Sequence, residues 1–256
     1  MNTLVVDTFA SFGVLARPLL LATALFGLWR GLRRTALPAR TQLATWLAVA
    51  VPLLVWFLLI LQLAQAGAFV ARPGGGRLPG IPLAVVIPLA TGLVVLTRSS
   101  RMAAVADATP LPWLVGFQVF RVLGAVFLAQ WAVGRLPGVF AIPAGVGDVL
   151  VGLLALPVAF YLRSGRPGAR AAAYAWNVLG IVDLVVALTL GFLSSPTRFQ
   201  LLALDAPNRV VGTYPLVMIP AFAVPLSLIL HGVSLRQLAR GERREPGLLA
   251  AATPST

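Results

Sequence analysis

Four ionisable side chains, Arg17, Arg121, Asp148 and Asp183, lie inside long apolar stretches of this chain. Two are cations and two are anions. Counted as helix at about 1.5 Å per residue, all four fall roughly 13 to 19 Å from the outer ends of their stretches, near the middle of a hydrocarbon layer about 30 Å thick. An isolated charge at that depth costs at least about 2.5 to 3.5 kcal/mol, so opposite charges at one level are expected to pair inside the protein. Three kinds of chemistry are open to such a cluster. It can be an ion pair that fixes helix order, a site for a small solute or a proton, or a pair of carboxylates for acid–base catalysis.

Spacing argues for an inward face. Gly145, Asp148, Gly152 and Ala155 share one side of a helix, as do Gly180, Asp183, Ala187 and Gly191, and small residues let helix backbones approach closely. The two stretches read alike, GVGDVLVGL at 145–153 and GIVDLVVAL at 180–188. Arg121, with Gln118 one turn earlier on the same side, is the expected counter-ion. Asn177 lies on a different side from Asp183 and is expected to bond another helix. Gln130, roughly opposite Arg121, is expected at an interface. His231, in PLSLILHGVSL about one turn before Arg236, has two readings. It is either an interfacial histidine bonded to a backbone carbonyl or a proton relay from the carboxylates to the cytoplasm, since histidine titrates near neutral pH. Pro215, Pro220 and Pro225 predict a kinked or broken helix around it.

The elements that position these residues follow from composition. Of 256 residues 59% are hydrophobic and 11% charged, with a mean hydropathy of +0.93, whereas soluble domains carry about 25% charge. Several apolar runs approach the roughly 20 residues a spanning helix needs, and the alternation of a membrane β-barrel is absent. The expected fold is all-α, a polytopic membrane helix bundle with seven transmembrane helices at 8–29, 43–65, 80–97, 112–133, 139–162, 171–194 and 213–235. Short Gly/Pro/Arg connections such as ARPGGGRLPG and RSGRPGAR are turns. Residues 1–238 therefore form one transmembrane domain, and 239–256 read as a disordered cytoplasmic tail held near anionic lipid. Alternate connections hold 13 arginines against five, which by the positive-inside rule puts the N-terminus out and the C-terminus in. MNTLVVDTFASFGVLARP lacks the basic start of a signal peptide and is expected to remain attached.

Composition also excludes functions. All 20 basic residues are arginine, so a retinal Schiff base has no lysine to form on. No cysteine and one histidine leave no thiolate or multi-histidine metal site, and no metal or cofactor is expected. The net charge of +13 is spread through short connections, so topology accounts for it and no nucleic acid is expected as a partner.

FQVFRVLGAVFLAQWAVGRLPGVFAIPAGVGDVLVG at 117–152, WNVLGIVDLVVALTLGFLSSP and LHGVSLRQL resemble a family of uncharacterised bacterial multi-spanning membrane proteins without an assigned activity. The resemblance covers the C-terminal half and implies a location in the bacterial inner membrane. Gly145-Val-Gly-Asp148 is similar to the GxGD motif of intramembrane aspartyl proteases such as presenilins and prepilin peptidases, in which a second aspartate shares a proton to activate water. Asp183 would be the partner, and Pro220-Ala221-Phe222 resembles their PAL motif. The order of the two aspartates is reversed here, and Val182 stands where those enzymes have tyrosine. Weak likenesses also relate spans 1–3 to 5–7, among them Arg17 with Asp148 and Trp46 with Trp176, as in a parallel 3+1+3 duplication with span 4 as linker.

The expectation carried forward is a small-solute transporter or carrier. Its polar core is Arg121, Asp148 and Asp183 with Gln118, Arg17 and Asn177, and His231 is the candidate proton relay. Its partners are the lipid bilayer and a small solute or proton. The alternative is a non-catalytic membrane scaffold or sensor with structural ion pairs, and the aspartyl protease comes third.

Overall fold

The computed structural model describes residues 3–71 and 80–251, with side chains from 18 to 71 and 80 to 240. The described residues are all-helical, with α1 (Thr3–Leu32), α2 (Ala39–Gln65), α3 (Gly80–Arg98), α4 (Ser100–Ala108), α5 (Leu111–Phe117), α6 (Ala125–Ala132), α7 (Gly138–Ser164), α8 (Ala169–Ser194) and α9 (Val224–Ala251). Among them, six helical segments are long and apolar enough to cross a membrane: Ala39–Gln65, Gly80–Arg98, Leu111–Ala132, Gly138–Ser164, Ala169–Ser194 and Ile219–Arg240. These mark the chain as a membrane protein. The first expected span, 8–29, lies within α1, whose described apolar part, Pro18–Leu32, is shorter than a span.

Prolines and glycines set the boundaries. Pro38, Pro110 and Pro137 precede α2, α5 and α7, where a fixed φ and a missing N–H cost a helix nothing. Gly165 and Gly168 adopt φ of +62° and +84°, a left-handed backbone that reverses the chain between α7 and α8 within a few residues. One stripe of α7, Val146, Leu153 and Phe160, is 51, 62 and 66% exposed. Its opposite stripe, Gly145, Asp148, Gly152 and Ala155, is buried, so the inward face expected from the spacing is present.

Two spans differ from their sequence outlines. The fourth is not one α-helix, because Gln118–Gly124 between α5 and α6 winds as 3₁₀. The seventh runs from Ile219 to Arg240, six residues later at its start and five later at its end than 213–235. Residues 213–217 form bends and turns, and a π-helical turn, Ile219–Ala223, which contains Pro220, begins the span. The proline-driven irregularity expected here is therefore at the head of the helix, and α9 continues through Ala251 into the segment read as tail.

α7 packs on α5, the 3₁₀ segment, α6 and α8, while α9 lies against α3, α5 and α8. Leu20, Phe57, Ile60, Phe117, Met218 and Phe222 form one apolar core, and Val115, Val151, Ala155 and Trp176 another. Trp46 and Trp176 each donate Nε1 to a carbonyl of the preceding helix, Leu25 and Val151, both at 3.0 Å. On the arginine-rich side, Asp107 pairs with Arg236 and Arg240 of α9. These exposed contacts tie α4 to α9 and add little stability each.

Candidate functional site

Arg121 stands on the 3₁₀ segment, where three residues per turn align Gln118, Arg121 and Gly124 on one edge against α7, α8 and α9. Its Nε donates to Asp148 Oδ1 at 2.8 Å, and Nη2 pairs with Asp183 Oδ2. Nη1 donates to the Gly180 carbonyl at 3.2 Å and lies 3.2 Å from His231 Nε2. One guanidinium thus joins three helices by separate nitrogens. The guanidinium is a donor only, so Nε2 of His231 accepts and Nδ1 carries the hydrogen. That hydrogen goes to Asn177 Oδ1 at 2.9 Å, and Asn177 Nδ2 donates in turn to Ala173 O at 2.7 Å and Ser234 Oγ at 2.9 Å. Trp176 covers the imidazole with its ring centroid 5.1 Å away.

Glycines make room for this cluster. A Cβ on Gly180 would stand 2.5 Å from His231 Cε1, one on Gly124 2.5 Å from Asp148 Oδ2, and one on Gly152 2.6 Å from the Val122 nitrogen. Asp183 rests directly on Gly147. Gly145, also in the expected stripe, instead receives Leu128.

Arg121, Asp148 and Asp183 therefore meet as the sequence suggested. Gln118 is buried beside them and bonds α9, accepting from Ser227 Oγ at 2.6 Å and donating to Ser227 O at 3.2 Å. Asn177 bonds another helix, as expected, and through His231 it also belongs to the same cluster. Arg17 has a side chain outside the described residues; one turn further along α1, Leu20 lines a small space of about 80 Å³ beside Arg121 and Asp148. His231 is buried within the bundle and bonds the side chains of Arg121 and Asn177 instead of a backbone carbonyl. The later register of α9 brings it level with Gly180 and Arg121, at the depth of the carboxylates. Gln130 is buried, and its Oε1 has no partner among the described residues. Ser227 and Ser234 were not singled out, yet Ser227, His231 and Ser234 follow at intervals of four and three, a polar stripe on one helix face that the sequence displays.

A larger cavity, about 650 Å³, runs from the connections 66–71 and 195–212 down to Asp148. Phe127, Phe140, Leu184, Leu188 and Asn208 are among its lining residues. From Leu184 to Ser195 on its α8 wall is about 16 Å at 1.5 Å per residue. Asn208 is 1% exposed; its Oδ1 accepts from the Val211 nitrogen, and its Nδ2 has no partner among the described residues. Among the described residues no group of three or more His, Cys, Asp and Glu side chains gathers as a metal site.

Fold and site define a multi-helix membrane protein with a buried Arg/Asp/His centre at the foot of a cavity. Residues 78–239 match the model of a domain of unknown function, DUF8737, and the chain belongs to that family. The match takes in the cavity, the Arg121 cluster and the six residues from Gln118 to His231 that compose it, and it leaves out α1 and α2. No curated protein and no solved structure matches the chain.

Proposed function

We propose that this protein is a seven-helix carrier of the bacterial inner membrane, with its N-terminus outside and its C-terminus in the cytoplasm, that moves a small solute past the Arg121 cluster. The observation that supports this most is the cavity of about 650 Å³ ending on Asp148, within the roughly 300 to 1,000 Å³ of small-molecule sites. An ion pair serving only to order helices requires no such opening. The cavity lies at the arginine-poor end, the outer side by the positive-inside rule. A carrier also needs a charge able to change partners. Arg121 holds its two carboxylates through different nitrogens and from different helices, so a shift of α7 or α8 would release one while keeping the other.

The protease reading has less support. There the two aspartates share a proton, whereas here a guanidinium bonds both. The relay reading of His231 needs a lone pair at Nε2, and Arg121 Nη1 occupies that position. The scaffold or sensor remains the alternative.

The chain has no cysteine, so a single Ala187→Cys on the cavity wall reports access directly. A carrier shows its site to each side in turn, and a membrane-impermeant maleimide should label this cysteine from outside in right-side-out vesicles and from the cytoplasmic side in inverted ones. Labelling confined to one side under every condition would refute transport and favour the scaffold.

A further inference from the structure

We infer that the solute is a protonated organic amine, its nitrogen at Asp148 and its apolar body against the cavity wall that Phe127 and Phe140 form together; the inference rests on the cavity being the solute site.

The charge balance of the cluster comes first. Among the described side chains, Arg121 is the one cation within ion-pair distance of Asp148 or Asp183, and it faces both. Among the described side chains, one guanidinium faces two carboxyl groups, so when both are ionised one has no counter-charge among them, in a medium where such a charge is costly. Asp148 is where a cation can reach it. Its Oδ1 is taken by Arg121 Nε, while Oδ2 accepts from no donor among the described residues, and the residue lines both the 650 Å³ cavity and the 80 Å³ space below it. Asp148 Oδ2 packs close to Gly124, where any side chain would collide with it.

The walls then select among cations. Phe127 and Phe140 meet edge to face with ring centroids 5.3 Å apart, and both line the cavity. Phe127 is three residues beyond Gly124, about 4.5 Å further along the chain's helical path, and an aromatic face attracts an organic cation. An inorganic ion would gain one carboxylate oxygen and lose its water to apolar walls, whereas calcium or magnesium needs six or more oxygens. An ammonium carried on an apolar body satisfies both ends of the site. The buried Asn208 supplies a donor that has no partner among the described residues, on the same cavity. An amine with a hydroxyl or carbonyl oxygen at its far end is therefore expected to bind more tightly than the plain amine.

Thermal unfolding and calorimetric titration of the full chain in detergent provide the test, with 2-phenylethylammonium, neutral 2-phenylethanol, phenylacetate and sodium chloride as probes. The ammonium alone should stabilise the protein, and Asp148→Asn should weaken its binding at least about tenfold, the loss expected for one charge-assisted hydrogen bond. Leu188→Trp, which fills the cavity and leaves the Arg121 cluster untouched, should abolish binding even if D148N unfolds. Equal stabilisation by the alcohol, stabilisation by sodium or phenylacetate instead, or unchanged binding in L188W would overturn the inference. Two-sided labelling of Ala187→Cys together with failure of the ammonium would sink the amine and leave the carrier standing.

Discussion

Replacing Arg121 with methionine keeps most of the side-chain volume and removes every polar atom of the guanidinium. Four contacts go at once, to Asp148, Asp183, the Gly180 carbonyl and His231. Removing one member of a buried ion pair costs about 3 to 5 kcal/mol, mostly because the other charge is stranded. Two carboxylates are stranded here, so R121M should lie at the upper end, about 5 kcal/mol, a large share of the 5 to 15 kcal/mol that holds a typical protein folded. The triple variant R121M/D148N/D183N removes the stranded charges with the guanidinium, and apolar or neutral replacement of whole buried ion groups is close to neutral. It should recover all but about 2 kcal/mol, a coupling of about 3 kcal/mol between positions. Unfolding in mixed micelles of rising dodecyl sulfate fraction measures this, with Trp176 fluorescence as the local probe, since its ring covers His231. If R121M loses less than about 1 kcal/mol, or the triple variant is no more stable than the single, Arg121 is not balancing these carboxylates and the centre has been misread.

Gly180→Ala drives a methyl into His231 and Arg121 and should cost about 1 to 3 kcal/mol, whereas Gly232→Ala, with nothing within 4 Å of the new Cβ, should be neutral or stabilise by up to about 1 kcal/mol in the same unfolding assay. Ser227→Ala leaves Gln118 Oε1 buried without a donor and should cost about 1 to 3 kcal/mol, with Ser227→Thr restoring most of it. His231→Phe keeps the contact with Trp176 but strands Asn177 Oδ1; a loss of similar size is expected, and His231→Gln should recover part of it. For orientation, an impermeant maleimide on intact cells should label Thr197→Cys and not Ser164→Cys; the reverse pattern would invert the topology.

Much of this centre was legible because the bilayer makes charge conspicuous. Arg121, Asp148 and Asp183 are the ionisable residues of stretches that are otherwise mostly apolar, and the stripes of small residues beside the two aspartates mark the inward faces. What was hidden depended on register. His231 looked interfacial because the last span was placed by hydropathy, which extends through the apolar turns at 213–217; helix begins only at Met218, carrying the histidine to the level of Arg121. Gly147 was missed as the bed of Asp183 because the stripe rule follows one helix, while Asp183 comes from the neighbour. Asn208 had no signal at all, since an asparagine in a Gly/Pro-rich connection reads as turn chemistry.

The narrow winding at Gln118–Gly124 has a mechanical consequence. Seven residues of 3₁₀ are about 3.5 Å longer than the same seven as α-helix and wound further by about 140°. Interconversion of the two would act as a screw, drawing α5 and α6 together and turning Arg121 relative to the carboxylates of α7 and α8, so pitch and ion pairing are coupled in one short segment.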